Sequence, residues 1–392
     1  MERMEGDTAP SPDDVKRWAW EAMQARGAER GAVTTGFAHG SLGLLAGHTQ
    51  YMEGFAVLMG TAFGVAVALR PIDGSVSRIV HTNDLREWTW SVKAVEEAVS
   101  GQPVWVCVIR ETLRRLGASV SVEAVVASAV PPACIDARLT ALSVATTRAF
   151  QKLLGADVAA RSDGDTAQLI RSVLSSCTKV PYSTAYPLAV QAASPPDLTL
   201  VDTRKCEHLP LEAPPRSEVR WALITVGEEP VQPPSYHEAR HDRALEALRA
   251  LNQSDLSPLT SFSELEHRNL ARALDVLPEH HRATARHLVG ENRRVQRLVK
   301  AVKKKDWQLF GALLLMSHHS LRDDWNGTDK ITDFVVSEVR ERTADGMYGA
   351  CLTGRGHAVL VAGQALALDR CLDSITAGLR ESFDAAAEVL LL

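Results

Sequence analysis

The chain has 392 residues, long enough for two domains of ordinary size and for a core that needs no disulfide or metal staples. Its 43 Lys and Arg nearly balance its 48 Asp and Glu, and a net charge of −5 with both signs interspersed gives no overall electrostatic case for a nucleic-acid or anionic-membrane partner. The six cysteines, Cys107, Cys134, Cys177, Cys206, Cys351 and Cys371, show no C-x-x-C spacing and read as reduced thiols of an intracellular, cytoplasmic protein; Cys206-x-His208 lacks a second ligand pair, so no metal site is expected.

The opening stretch, MERMEGDTAPSPDD, is acidic and has no apolar run of the secretory type, so residues 1–12 are expected to form a flexible tail. Ser11-Pro12-Asp13-Asp14 combines an N-cap, a proline suited to the first helical position and two first-turn acids, which predicts a helix carrying Val15, Trp18, Ala22 and Met23 on its apolar stripe and ending at Gly27. From Gly31 to Val80, short apolar runs separated by glycine predict a mostly antiparallel sheet. The longest run, Gly54 to Leu69, falls short of the roughly 20 residues of a membrane helix and, interrupted by Gly60 and Gly64, reads as two buried strands joined by a turn. Trp90 to Val99 has helical period, Ser119 to Pro131 alternates like a strand, and Leu139 to Leu154 reads as a buried helix. Pro131 to Arg138 is then a strand-to-helix junction, a place where an open helix end cradles an anion. Proline-rich breaks around a strand, VRWALITV, put a domain boundary at Pro214-Pro215, giving domains over residues 13–214 and 215–392. Beyond Ser235 the pattern is helical up to a glycine-bearing hairpin, Cys351 to Gly363, and a last helix.

Two charged clusters stand out. Arg282 to Lys305 holds nine Lys or Arg, but Leu288, Val295, Leu298, Val299 and Val302 form an apolar stripe through it and no aromatic is present to stack on bases, which favours a solvated helix face over a nucleic-acid surface. In MSHHSLRDDW, Met316 to Trp325, the spacing of His318, Arg322, Asp323 and Asp324 suits hydrogen bonding between helices; His318 and His319, adjacent on a helix, point about 100° apart and do not make a metal pair.

With RHLVGENRRV (Arg286 to Val295) and FGALLLMSHHSLRDDW (Phe310 to Trp325) in hand, the chain resembles the galactokinase branch of the GHMP small-molecule kinases from about Gly31 to Gly363, and WSVKAV, LVDTR and YHEAR fall in the family's order. The resemblance implies an α+β, two-domain GHMP-kinase-like fold, with a left-handed β-α-β type N-terminal domain and a ferredoxin-like helical C-terminal domain. The motifs that carry the family's chemistry are altered in content. In LLAGHTQYMEGF the arginine that assists phosphoryl transfer corresponds to Ser41, the asparagine to Gly43, and the two sugar-binding acids to Gly47 and Gln50, while His48, Thr49, Tyr51 and Gly54 persist. The phosphate loop becomes PPACIDARL, with Ala133 and Ile135 at its glycines, Asp136 where polyphosphate would sit, and Ala137, Arg138 and Leu139 at its serines. The catalytic aspartate falls at or beside Tyr186, and Tyr236 stands at a sugar-contacting tyrosine.

Losing one preorganised donor typically costs about 2.7 to 4 kcal/mol of barrier in such transfers. The altered positions are therefore read as a galactokinase-like pseudokinase that has lost ATP-dependent sugar phosphorylation and is kept for a binding, regulatory or assembly role. On that reading no cofactor is expected, sugar binding is disfavoured and the partner is another protein, with neither membrane nor nucleic acid. His48 and Thr49 then serve to close a turn by side-chain hydrogen bonds. The first alternative is an active sugar kinase with a rebuilt site, using ATP and magnesium and needing Asp136, Asp163 or Asp165 to reach the pocket. The second is a nucleic-acid-associated protein that uses the Arg282 to Lys305 face.

Overall fold

The computed structural model describes residues 10–91, 101–155 and 162–392. Helix α1 (Pro12–Ala25) starts where the sequence places it, with Ser11 and Asp14 forming a reciprocal capping box. The expected tail thus ends sooner than residue 12, and residues 1–9 of it lie outside the described residues. Four strands follow, β1 (Thr34–Leu45), β2 (Phe55–Pro71), β3 (Val76–His81) and β4 (Asp84–Ser91). The helix expected from Trp90 is corrected at its start, since Trp90 and Ser91 close β4, and the rest of that expectation lies outside the described residues.

The run from Gly54 to Leu69 is one strand and not two. β2 is 17 residues long and runs through both glycines, and Gly64 serves close approach instead of turning: a Cβ there would lie 2.2 Å from the Ala38 carbonyl oxygen. β2 is the spine of a sheet ordered β4-β3-β5-β2-β6-β7, with β1 paired along the other side of β2. Here β5 is Val122–Ser128, β6 is Leu198–Asp202 and β7 is Glu207–Leu211. β5 pairs with the second half of β2 and β6 with the first, and β3 runs parallel to β5. β2 alternates as a doubly covered strand must: Val65, Val67 and Leu69 face one core, while Ala66 and Ala68 face α1 through Val15, Ala19 and Met23. Four helices accompany the sheet, α2 (Val104–Arg115), α3 (Ile135–Leu154), α4 (Asp163–Thr178) and α5 (Ala185–Ala192). α3 lies so close on β1 that a Cβ at Gly36 would sit 2.0 Å from the Ala145 carbonyl oxygen.

The second sheet is antiparallel, in the order β11-β8-β10-β9. Its strands are β8 (Arg220–Pro230), β9 (Met347–Leu352), β10 (Gly356–Gly363) and β11 (Ala387–Leu391). The closing strand β11 has no counterpart in the sequence reading; it pairs residue for residue with β8. Between β8 and β9 come α6 (Pro234–Leu251), α7 (Leu270–Val276), α8 (Glu279–Lys304), α9 (Trp307–Asp323) and α10 (Lys330–Glu341), and α11 (Ala365–Phe383) precedes β11. α10 and α11 cover Ile224, Val359 and Val361 on one face. On the other, Trp221, Leu223 and Leu360 join Phe310 and Leu313 of α9 in a core continuous with that of the first sheet. The fold is therefore α+β with two sheets, as expected. Among the described residues no helix is long and apolar enough to cross a membrane.

α9 and β9 meet backbone to backbone at one point: a Cβ on Gly311 would lie 2.1 Å from the Tyr348 carbonyl oxygen, and one on Gly349 would lie 2.2 Å from that of Gly311. Gly311→Ala should therefore lower stability by about 1–3 kcal/mol through overpacking. A urea-unfolding midpoint equal to the wild type's would show that the two elements part without cost.

Candidate functional site

A small cavity of about 60 Å³ lies where the two sheets' connections meet. The end of β1 contributes Gly43 and Leu44, the loop after it contributes Ala46, Gly47, His48, Gln50 and Tyr51, and α3 contributes Asp136 from its first turn. Val180 to Ser183 and Tyr186 close one side; His237 of α6, Ser317 and His318 of α9, and Gly354 and Arg355 of the β9–β10 turn close the other.

The loop after β1 holds itself together. The Thr49 hydroxyl donates to the Phe55 carbonyl (2.9 Å), and the Gly54 and Met52 amides donate to the Thr49 carbonyl (2.9 and 3.0 Å). His48 takes a left-handed backbone (φ 65°), shares a 2.6 Å hydrogen bond with the Tyr51 hydroxyl and stacks on Trp325 and His237, with centroids 4.9 and 5.7 Å away. Burial, reinforced by the neighbouring His237 and His287, holds His48 well below the usual histidine range, so it is a neutral imidazole. Gly47 sits against α8. Its carbonyl accepts from His287 Nε2 (2.9 Å), and a Cβ there would come 3.2 Å from a Glu291 carboxylate oxygen. An acid at position 47 would face Glu291 directly, which gives a local reason for glycine.

Glu291 is fully buried and bound by Arg294 Nε and the Ser317 hydroxyl, each at 2.6 Å. Burial raises its pKa, but Arg294 and His287 outweigh burial and the carboxyl is held below its ordinary value. The expected interhelix bonding of the Met316 to Trp325 cluster is present for His318, whose Nε2 meets Asp333 at 2.9 Å, and for Asp324, which accepts from Arg286 at 2.6 Å; Arg322 pairs instead within α9, with its neighbour Asp323 at 2.7 Å. The cations at 293, 297, 300 and 303–305 lie on the exposed face of α8, with Leu288, Val295 and Leu298 beneath.

At the opposite wall, Asp136 is buried and ion-paired with Arg355, whose Nε and second guanidinium nitrogen lie 2.9 and 2.7 Å from one carboxylate oxygen. Arg355 also donates to the Tyr182 hydroxyl and lies over its ring, 4.5 Å from the centroid. Burial alone would lower the Arg355 pKa, but Asp136 and Tyr182 carry it above its ordinary value, so the guanidinium stays charged. The partner of Asp136 is Arg355, in the hairpin that the sequence marks only by its glycines. Arg138 instead leaves its Nε unpaired, and burial lowers its pKa.

The remaining expected positions divide. Tyr186 is buried beside Gly43, where a Cβ would meet its hydroxyl at 2.9 Å. Ser41 is buried with an unpaired hydroxyl and does not line the cavity. Tyr236 donates to the Trp325 carbonyl (2.8 Å) outside the cavity wall. Ala133, Ile135 and Ala137 form the junction into α3, with the Ala133 carbonyl 2.0 Å from where a Cβ on Gly356 would be. Asp163 and Asp165 are exposed at the start of α4, away from the cavity. Three cavity-lining residues carry buried polar atoms without a partner, Gln50 Oε1, His237 Nε2 and His318 Nδ1, and such orphans call for a ligand or water. His237 escaped sequence reasoning, because a lone histidine in a helix carries no signal.

No protein-family model matches the chain. Among solved structures, that of Lactococcus lactis galactokinase complexed with galactose superimposes with a TM-score of 0.84 over 96% of both chains at 18% identity. Methanococcus jannaschii mevalonate kinase gives 0.59, over 93% of this chain and 98% of the other, at 11% identity. The fold is that of the GHMP small-molecule kinases. In sequence, the galactokinases of Roseiflexus sp. strain RS-1 and Canis lupus familiaris are each 27% identical over 320 and 330 residues, spanning 81% of this chain and 80% of the relative. Within the GHMP superfamily, the chain is galactokinase-like.

These relatives correct the pseudokinase reading. Proteins named galactokinase align across four-fifths of their own length, and a galactokinase structure matches end to end, which favours a sugar kinase with an altered site over a scaffold that has lost its reaction.

The imidazoles give the site a pH dependence. Burial, with Arg355 adding to it, lowers His237 from 6.5 to about 4. A histidine with a depressed folded pKa contributes stability that is complete above the unfolded value and declines as pH falls below it. Between pH 6.5 and about 4, His237 should therefore remove about 1.4 kcal/mol of unfolding free energy per pH unit. His237→Gln should flatten that part of the stability–pH curve; an unchanged slope would assign the effect to other groups.

Proposed function

We propose that the chain is a divergent sugar kinase with a rebuilt site, which transfers the γ-phosphoryl group of ATP to a hydroxyl of a small polyhydroxyl substrate. The observation that carries this reading is Asp136: among the described residues it is the one carboxylate lining the cavity, and Arg355 is ion-paired with it. The altered motifs take a base and an arginine from their family positions at Tyr186 and Ser41. Asp136 and Arg355 supply the same two charges from α3 and the β9–β10 turn.

In the step this allows, the substrate hydroxyl oxygen forms a bond to the γ-phosphorus, the bond from that phosphorus to the bridging oxygen breaks, and ADP leaves. The hydroxyl proton passes to Asp136. Gln50 Oε1, His237 Nε2 and His318 Nδ1 are the unpartnered atoms that would meet sugar hydroxyls, and the neutral imidazole of His237 accepts without repelling Arg355. No side chain caps α3, so its N-terminal amides and the Arg138 guanidinium are the groups that would receive phosphate. Positions 137–139 offer a metal ion no oxygen ligand, and no part of the step is assigned to one. With Gly47 and Gln50 in place of two acids, the hydroxyl pattern this site prefers should differ from that of the named relatives. We place the protein inside the cell, in keeping with a nucleotide-dependent sugar kinase.

The test is phosphate transfer from ATP across a panel of hexoses and polyols, followed by phosphorus NMR. Turnover should appear for at least one, and Asp136→Asn should lower kcat by about 10²- to 10⁴-fold, the usual worth of positioned proton transfer. Equal kcat in that variant would remove Asp136 as the base. No turnover and no ligand-dependent rise in melting temperature across the panel would refute the kinase reading.

A further inference from the structure

Two cysteines that the sequence places 70 positions apart meet on the flank of the first sheet. Cys107, in the first turn of α2, and Cys177, in the last turn of α4, have sulfur atoms 2.7 Å apart, and both are half-buried. A disulfide needs about 2.05 Å, so closure asks for a shift of well under 1 Å. The two helices are pinned antiparallel a few residues further on, where Arg115 donates to the Ser172 hydroxyl, so the approach of the thiols is built into the packing. The other thiols differ: Cys134, Cys351 and Cys371 are buried, and Cys206 contacts Gln168 and Gly164 but no second sulfur.

We propose that Cys107 and Cys177 form a reversible regulatory disulfide, closed by hydrogen peroxide and opened by thiols. The pair is asymmetric in the sense this chemistry requires. The contact with Cys177, with help from Arg110 and Lys179, lowers the Cys107 thiol against the opposing effects of burial and Glu111, while Cys177 is pushed up by the same contact. The Cys107 thiolate attacks one peroxide oxygen; the O–O bond breaks, an S–O bond forms, and hydroxide leaves to become water. Cys177 sulfur then attacks the Cys107 sulfenic acid, the S–S bond forms, the S–O bond breaks, and the departing hydroxide takes the Cys177 proton as a second water. Each sulfur gives up one electron and the peroxide receives two.

The position gives the bond a consequence. Cys177 stands two residues before Lys179, whose left-handed backbone ends α4, and the chain then runs straight into Val180 to Ser183, one wall of the cavity. The Tyr182 amide is already tied back to Ser175 (3.2 Å), and its hydroxyl takes the hydrogen bond from Arg355. Linking α2 to the end of α4 fixes the base of that wall.

The intact chain is treated with limiting peroxide, its remaining thiols are blocked with N-ethylmaleimide, and its peptides are mass-mapped. A linked peptide joining Cys107 and Cys177, lost on treatment with dithiothreitol, is expected, and Cys177→Ser should leave a Cys107 sulfenic acid that dimedone traps. The oxidised protein should melt several degrees higher than the reduced one, a rise that Cys107→Ser abolishes. Independent alkylation of both thiols with no linked peptide, or a link that joins either to Cys206, would overturn the proposal. None of these readouts depends on catalysis, so the proposal and the kinase reading stand or fall separately.

Discussion

The ion pair between Asp136 and Arg355 joins residues 219 positions apart, one at the head of α3 and one in the turn between β9 and β10. Both lie in surroundings from which water is largely excluded, where an unpaired charge costs several kcal/mol and removal of one partner typically costs about 3–5. Neither can therefore be kept without the other, and the two sheets must meet at this point for either to be tolerated. A carboxylate at a helix N-terminus is also stabilised by the exposed amides of that turn. Asp136 stands in the uncapped first turn of α3, and Tyr182 holds the guanidinium of its partner in place.

Around that pair the site is a set of neutral groups held by neighbours. His48, His237 and His287 are crowded together with Trp325, and crowding keeps them uncharged. His287 donates from Nε2 to Gly47 and so offers Nδ1 to the Ser320 hydroxyl, which fixes its tautomer. The one other buried carboxylate close by, Glu291, is satisfied inside α8 and α9 and stands behind the loop instead of within the cavity. The glycine at 47 thus belongs to packing against α8.

Much of the frame could be read from sequence, because it rests on local rules. The Ser11 cap, the β5 to α3 junction, the strand around Trp221 and the hairpin before α11 all follow from capping residues, apolar period and proline breaks. What escaped did so for stated reasons. Gly60 and Gly64 look like turn residues in one dimension and are strand residues in three, Gly64 because a Cβ there would strike β1. β11 is five residues long, and its signal is the partner strand β8, not its own pattern. In the site, the loop from Gly47 to Tyr51 was recognisable from order and residue type, and Asp136 was named as a candidate. Arg355, His237 and the Cys107 to Cys177 contact were not, since each acquires meaning only from a residue more than fifty positions away.

The cavity as it stands has room for a handful of water molecules, at about 10–15 Å³ each. The β9–β10 turn borders it through Gly354 and Arg355, and the next residue, Gly356, packs on the Ala133 carbonyl just ahead of α3. One short turn therefore touches both the cavity wall and the entry to α3, so a displacement at either place is felt at the other.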